Sequence, residues 1–146
     1  MNKPAFDKFD VSVAYINKLL DGENIEANDG TVVMADDVTF PPKPTKSYAF
    51  CSDTAYFPSI IPHIEKVDLL YHEATFTEEL KEWAKNTLHS TAREAAEIAK
   101  MANARKLILG HFSARYKTVN PFLEEARAVF PNTVAAKDGS SYEVEN

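Results

Sequence analysis

Residues 106–116 read KLILGHFSARY. Lys106-Leu107-Ile108-Leu109 is an apolar run of strand length, and it gives way at once to Gly110, His111 and Ser113, with Arg115 and Tyr116 behind them. Two stretches upstream repeat that layout: Tyr48 to Cys51 leads into Ser52-Asp53-Thr54, and Val67 to Tyr71 leads into His72-Glu73-Ala74-Thr75. Between these runs the apolar spacing turns helical, over Phe57 to Glu65 with its three isoleucines, over Thr77 to Leu88 with Leu80, Trp83 and Ala84, and over Thr91 to Ala104. The last of these carries Ala92, Ala95, Ala96 and Ala99 on one face, which allows close approach to a sheet, and Thr91 with Glu94 has the spacing of a capping box. A further helix is expected over Pro121 to Phe130 with Asn120 as its cap, followed by short extended runs at Thr133 to Ala136 and Ser141 to Val144 around an Asp138-Gly139 turn. Strands that alternate with helices predict a layered α/β architecture.

The first third of the chain reads differently. Val11 to Leu20 has helical apolar spacing that stops at Gly22, Asn28-Asp29-Gly30 forms a turn before the extended Thr31 to Met34, and Pro41 to Pro44 reads as an extended linker. We therefore divide the 146 residues into 1–46, a helix plus acidic loop and proline-rich linker, and 47–146, the organised domain. The net charge of −6 is local: Asp21, Glu23, Glu26, Asp29, Asp36 and Asp37 lie between Lys18 and Lys43 with no basic residue among them. Nothing in that charge balance recommends a general nucleic-acid binder. No run approaches the eighteen or so apolar residues of a membrane span, and the opening lacks a signal-peptide layout, so a cytoplasmic location is expected and no membrane partner. The lone Cys51 can form no internal disulfide and reads as a small buried hydrophobe.

In parallel α/β sheets, reactive groups gather in the loops that leave the carboxyl ends of strands. Asp53, His72, Glu73, His111, Ser113 and Arg115 all occupy such positions, and His89 sits just before a helix start. Each also suits a plainer role: Asp53 a turn, His72 a satisfied core histidine, Glu73 a polar strand end, His89 an exposed residue, Arg115 an ion pair. His63 reads as structural or surface. Their conjunction favours a borderline divalent metal such as zinc, although the set is short of the three or four protein donors a zinc site normally has.

The segments SDT at Ser52 to Thr54, HEAT at His72 to Thr75, HSTAREAA at His89 to Ala96 and GHFSARY at Gly110 to Tyr116 occur in the order found in one family. Tyr48 to Val144 resembles the C-terminal half of ribonuclease Z, the tRNA 3′-processing endonuclease of the metallo-β-lactamase fold, and DGTV at Asp29 to Val32 resembles the segment before it. The resemblance implies half of a four-layer αββα metallo-β-lactamase sandwich. It implies Asp53 as the carboxylate bridging two zinc ions and His111 as a terminal ligand. It also implies His89 as the histidine beside the scissile phosphate, Glu73 as its orienting partner, and Ser113 and Arg115 near RNA phosphate. The substrate implied is precursor tRNA. The family's His-x-His-x-Asp-His signature is not found in these residues, so the expectation is an incomplete two-zinc site, inactive without an N-terminal half. Half a sandwich also leaves an apolar sheet face bare, from which a homodimer is expected unless the missing half covers it. Another metallo-β-lactamase-fold phosphodiesterase and a non-catalytic half-domain acting in assembly are the alternatives.

Overall fold

The structure is a computed structural model that describes residues 1–41 and 45–145. Pro42, Lys43 and Pro44 of the expected linker lie outside the described residues. The chain forms two compact units, Met1–Pro44 and Thr45–Asn146.

The first unit holds three short helices, α1 (Lys3–Phe6), α2 (Ile16–Leu20) and α3 (Ala35–Val38), with a hairpin of β1 (Ile25–Glu26) and β2 (Val32–Val33). Gly30, at φ 84°, supplies the left-handed residue the hairpin turn requires. The helix expected over Val11 to Leu20 is shorter, a 3₁₀ turn at Val13–Tyr15 feeding α2. Leu19, Val33 and Val38 form its small core with Phe6 and Ile25.

In the second unit, β3 (Tyr48–Cys51), β4 (Leu69–Glu73), β5 (Lys106–Gly110) and β6 (Thr133–Ala135) form one parallel sheet in sequential order. Every connection thus steps the same way across the sheet, and right-handed crossovers then place every connecting helix on one face. The helices are α4 (Lys81–Asn86), α5 (Ala92–Met101) and α6 (Asn120–Val129). Leu70, Leu107 and Leu109 point to them and pack against Ala92, Ala95, Ala96 and Ala99 of α5 and Phe122 of α6, as the alanine face foretold. The alternate residues point the other way. Tyr48 and Phe50 there are 54% and 62% exposed, and Phe50 stacks on its register partner Tyr71 at 4.5 Å. An α/β half-sandwich is the result, with its second sheet face exposed at the β3 edge, whereas Leu69 and Ile108 on that face are each only 3% exposed and share a cavity wall with Tyr142 and Val144 of the C-terminal tail.

Several local expectations need correction. Phe57 to Glu65 is no α-helix but a 3₁₀ stretch, Pro58–His63, because Pro62 removes an amide donor inside it. β4 runs on through His72 and Glu73, so these residues belong to the strand rather than the loop after it. Asn120 is the first residue of α6 rather than its side-chain cap, and Ser141 to Val144 pairs with no strand; Tyr142 instead donates its hydroxyl to the Ala135 carbonyl. On α4, which follows a 3₁₀ turn, Ala84 is buried whereas Trp83 is 49% exposed and stays outside the core. No helix among the described residues is long and apolar enough to cross a membrane.

Candidate metal centre

All four strands run parallel, so their carboxyl ends share one edge, and Asp53, Glu73 and His111 meet there from the adjacent strands β3, β4 and β5. Gly110 makes the last turn of β5 possible: a β-carbon there would stand 2.6 Å from ring atoms of Tyr71. His89 arrives from the helix side because the segment after β4 is zipped between two others. Ala92 N–H donates to the Phe76 carbonyl at 2.9 Å on one side, and Ser113 N–H donates to the Thr75 carbonyl at 3.1 Å on the other. Ser90 Oγ donates to the Thr54 carbonyl at 2.7 Å, which fastens the Asp53 loop to the same frame.

Glu73 is fully buried, yet all four lone-pair sites of its carboxylate are used. Oε1 accepts from Thr54 N–H at 3.2 Å and from His89 Nδ1 at 2.8 Å; Oε2 accepts from Thr75 N–H at 2.9 Å and Thr75 Oγ1 at 2.8 Å. The Thr75 hydroxyl has one proton, and the carboxylate, which can only accept, takes it. Thr75 Oγ1 must then accept from His111 Nδ1, 2.8 Å away. Both rings therefore carry a proton on Nδ1, His89 through Glu73 and His111 through Thr75, so that in the neutral form of each ring Nε2 is the nitrogen with the free lone pair. Sequence reasoning placed Thr75 inside a motif and gave it no role; the signal for it is spatial, since His111 lies 36 positions away.

His111 Nε2 faces Asp53 Oδ1 at 3.3 Å. A lone pair opposite a carboxylate oxygen is repulsive unless a cation lies between them. Tetrahedral zinc, with bonds of about 2.0–2.2 Å to N and O, keeps neighbouring donors about 3.3–3.5 Å apart, so the donor set fits a metal ion. One donor atom each from Asp53, His89 and His111 lies within 4.8 Å of the others, and these three could hold a metal ion. The backbone is consistent with imposed geometry: Asp53 and His111 are two of only five described non-glycine residues at positive φ, at 48° and 59°, a conformation that costs a histidine about 1 kcal/mol or more.

The remaining sequence candidates fall around this centre or outside it. Ser113 is half-buried beside it, its Oγ accepting from Arg115 N–H at 3.4 Å, and the Arg115 side chain lies over Trp83 and Phe76 with centroid distances of 5.0 and 6.0 Å. His72 points to the helix face, buried, donating Nδ1–H to the Glu73 carbonyl at 2.7 Å; burial pushes its pKa down, and it stays outside the donor set. His63 is exposed on the 3₁₀ stretch. Cys51 is half-buried, and burial raises its thiol pKa.

Comparison with known proteins agrees with the geometry. Residues 29–112 match the model of the beta-lactamase superfamily domain. The chain is 47% identical over 138 residues to a ribonuclease Z from Porphyromonas gingivalis, covering 94% of this chain and 45% of that protein. Among solved structures, the metallo-beta-lactamase fold protein YhfI from Bacillus subtilis superposes at a TM-score of 0.61 with 31% identity, over 66% of this chain and 39% of the other. A long form RNase Z from yeast gives 0.54 and 33%, over 61% of this chain and 12% of the other. The chain thus spans about half the length of the curated relatives it matches. A family match over more than half of its residues, with the fold and donor cluster that go with it, establishes that the chain belongs to the beta-lactamase superfamily.

Proposed function

We propose that this chain supplies one half of a zinc-dependent endoribonuclease centre that removes the 3′ trailer from precursor tRNA, the other half coming from residues outside it. The observation that carries the proposal is the Asp53–His111 pair at 3.3 Å, set beside a buried Glu73–His89 pair. A ribonuclease Z relative at 47% identity supports the substrate class.

Of the three clustered donors, Asp53 and His111 would hold zinc, with room for further donors, while His89, tied through Nδ1 to Glu73, would stay off the metal. The bound metal supplies Lewis acidity and a hydroxide at neutral pH. Thr75 keeps the proton of His111 on Nδ1, so that Nε2 stays free as a donor atom. His89 is the proton carrier. When its Nε2 is protonated, Glu73 balances the imidazolium from the Nδ1 side, and Nε2–H can pass to the oxygen that leaves phosphorus. Ser113 and Arg115 lie at the rim, in reach of a neighbouring phosphate.

The exposed β3 edge of the second sheet face supports the same reading: Tyr48 and Phe50 are the kind of surface that a second sheet of the complete sandwich would cover, and a homodimer is the competing occupant. The test mixes this chain with a separately expressed segment bearing a His-x-His-x-Asp-His motif and assays 3′-trailer cleavage. Cleavage is expected only in the mixture, with Asp53→Ala and His111→Ala abolishing both activity and metal binding, and His89→Ala abolishing activity with metal affinity near wild type. Cleavage by this chain alone, or metal affinity unmoved by Asp53→Ala, would refute it. Sedimentation of the unmixed chain separates a dimer from a monomer that awaits its other half.

A further inference from the structure

Trp83 is the chain's single tryptophan, and half its surface is open to solvent. A large exposed indole on a soluble unit needs a reason, and its neighbour supplies one. The guanidinium of Arg115 lies over the Trp83 ring at 5.0 Å and over the Phe76 ring at 6.0 Å, while Phe76 meets His89 edge-on at 6.1 Å. A continuous line of rings and one cation therefore runs from the solvent edge to the proposed proton carrier. A cation over a ring face uses the π face and leaves every N–H on the guanidinium edge free. Among the described residues no carboxylate lies within ion-pairing distance of Arg115, and no side-chain or carbonyl oxygen accepts from its guanidinium. A preorganised fork of donors with no protein acceptor is built for an oxyanion outside the chain.

We propose that Trp83 is a positioning residue: its indole holds Arg115 flat so that the guanidinium edge takes one phosphodiester of an unpaired RNA strand, next to the phosphate that His89 serves. This rests on the reading of the site given above and adds to it a residue that no motif carried.

The test uses the full chain and a short, unstructured oligouridylate labelled with a fluorophore at low salt, read by anisotropy and by the emission of Trp83 itself. Binding is expected to change that emission. Trp83→Ala should weaken binding about two- to fivefold, as a lost cation–π contact does; Trp83→Phe should restore most of it, and Arg115→Ala should lower the salt slope by about one. In an Arg115→Ala background the Trp83→Ala change should have no further effect. Equal losses in both backgrounds, or no loss in either, would overturn the assignment of Trp83 while binding itself leaves the phosphodiester reading standing. No binding by the wild-type chain would overturn the assignment and count against that reading too. Circular dichroism of each variant controls for folding, which an exposed indole should not disturb.

Discussion

Replacing Thr75 by valine tests the tautomer argument at its centre. Valine has the shape of threonine and lacks only the hydroxyl, so the change removes one donor and one acceptor with little change in packing. The donor serves Glu73 Oε2 at 2.8 Å, and since Glu73 is wholly buried no water replaces it; a lost hydrogen bond to a charged group costs about 1.5–3 kcal/mol of stability. The acceptor fixes His111 through Nδ1 at 2.8 Å. Removing such a support from a metal-binding histidine typically costs about 10–100-fold in metal affinity. Zinc affinity is read by competition with a chromophoric chelator at constant pH, and stability by urea unfolding. Thr75→Ser keeps the hydroxyl and should retain most of the affinity. A valine variant that binds zinc as wild type does, or a serine variant that fails with it, would refute the reasoning, because the hydroxyl would then not decide which nitrogen of His111 is free.

Glu73→Gln places an amide donor among four hydrogen-bond donors in a sealed pocket, and should destabilise the unit by about 3 kcal/mol in urea unfolding, with Glu73→Asp milder. Gly110→Ala forces a β-carbon into the Tyr71 ring and should cost about 1–3 kcal/mol, most of it recovered in a Gly110→Ala/Tyr71→Leu double variant; additive losses would show that the contact is not the cause. His72 is pushed below its ordinary value of 6.5 by burial, with its hydrogen bond to the Glu73 carbonyl partly offsetting this. The unfolded chain then takes up a proton near pH 6.5 that the folded chain refuses, so this contribution is whole above pH 6.5 and is lost as the pH falls from there toward the lowered folded value, at up to about 1.4 kcal/mol per pH unit. Urea midpoints between pH 7.5 and 5.5 should fall for the wild type and fall less steeply for His72→Asn.

Local sequence was enough for much of this protein. The run Lys106 to Leu109 became β5, Thr91 with Glu94 formed the capping box, and the alanine face of α5 lies on the sheet, because short-range periodicity and capping chemistry act within a few residues. The order of the four motifs points to the family that the comparisons support, and Asp53, Glu73, His89 and His111 are legible as chemical candidates from their places at strand ends and a helix start. What the chain order alone left undecided was contact across long separations. Glu73 reaches His89 across 16 positions and Thr75 reaches His111 across 36, and only the zipping of residues 74–77 between two flanking segments brings these atoms together. Trp83 shows the same limit: helical spacing marks it as apolar, but its contact with Arg115, 32 positions on, is set by the tertiary structure. Spacing along a chain specifies which face a residue occupies, whereas the partner that face meets is set by packing, and hydrogen bonding between distant segments decides which protonated form of each histidine is presented.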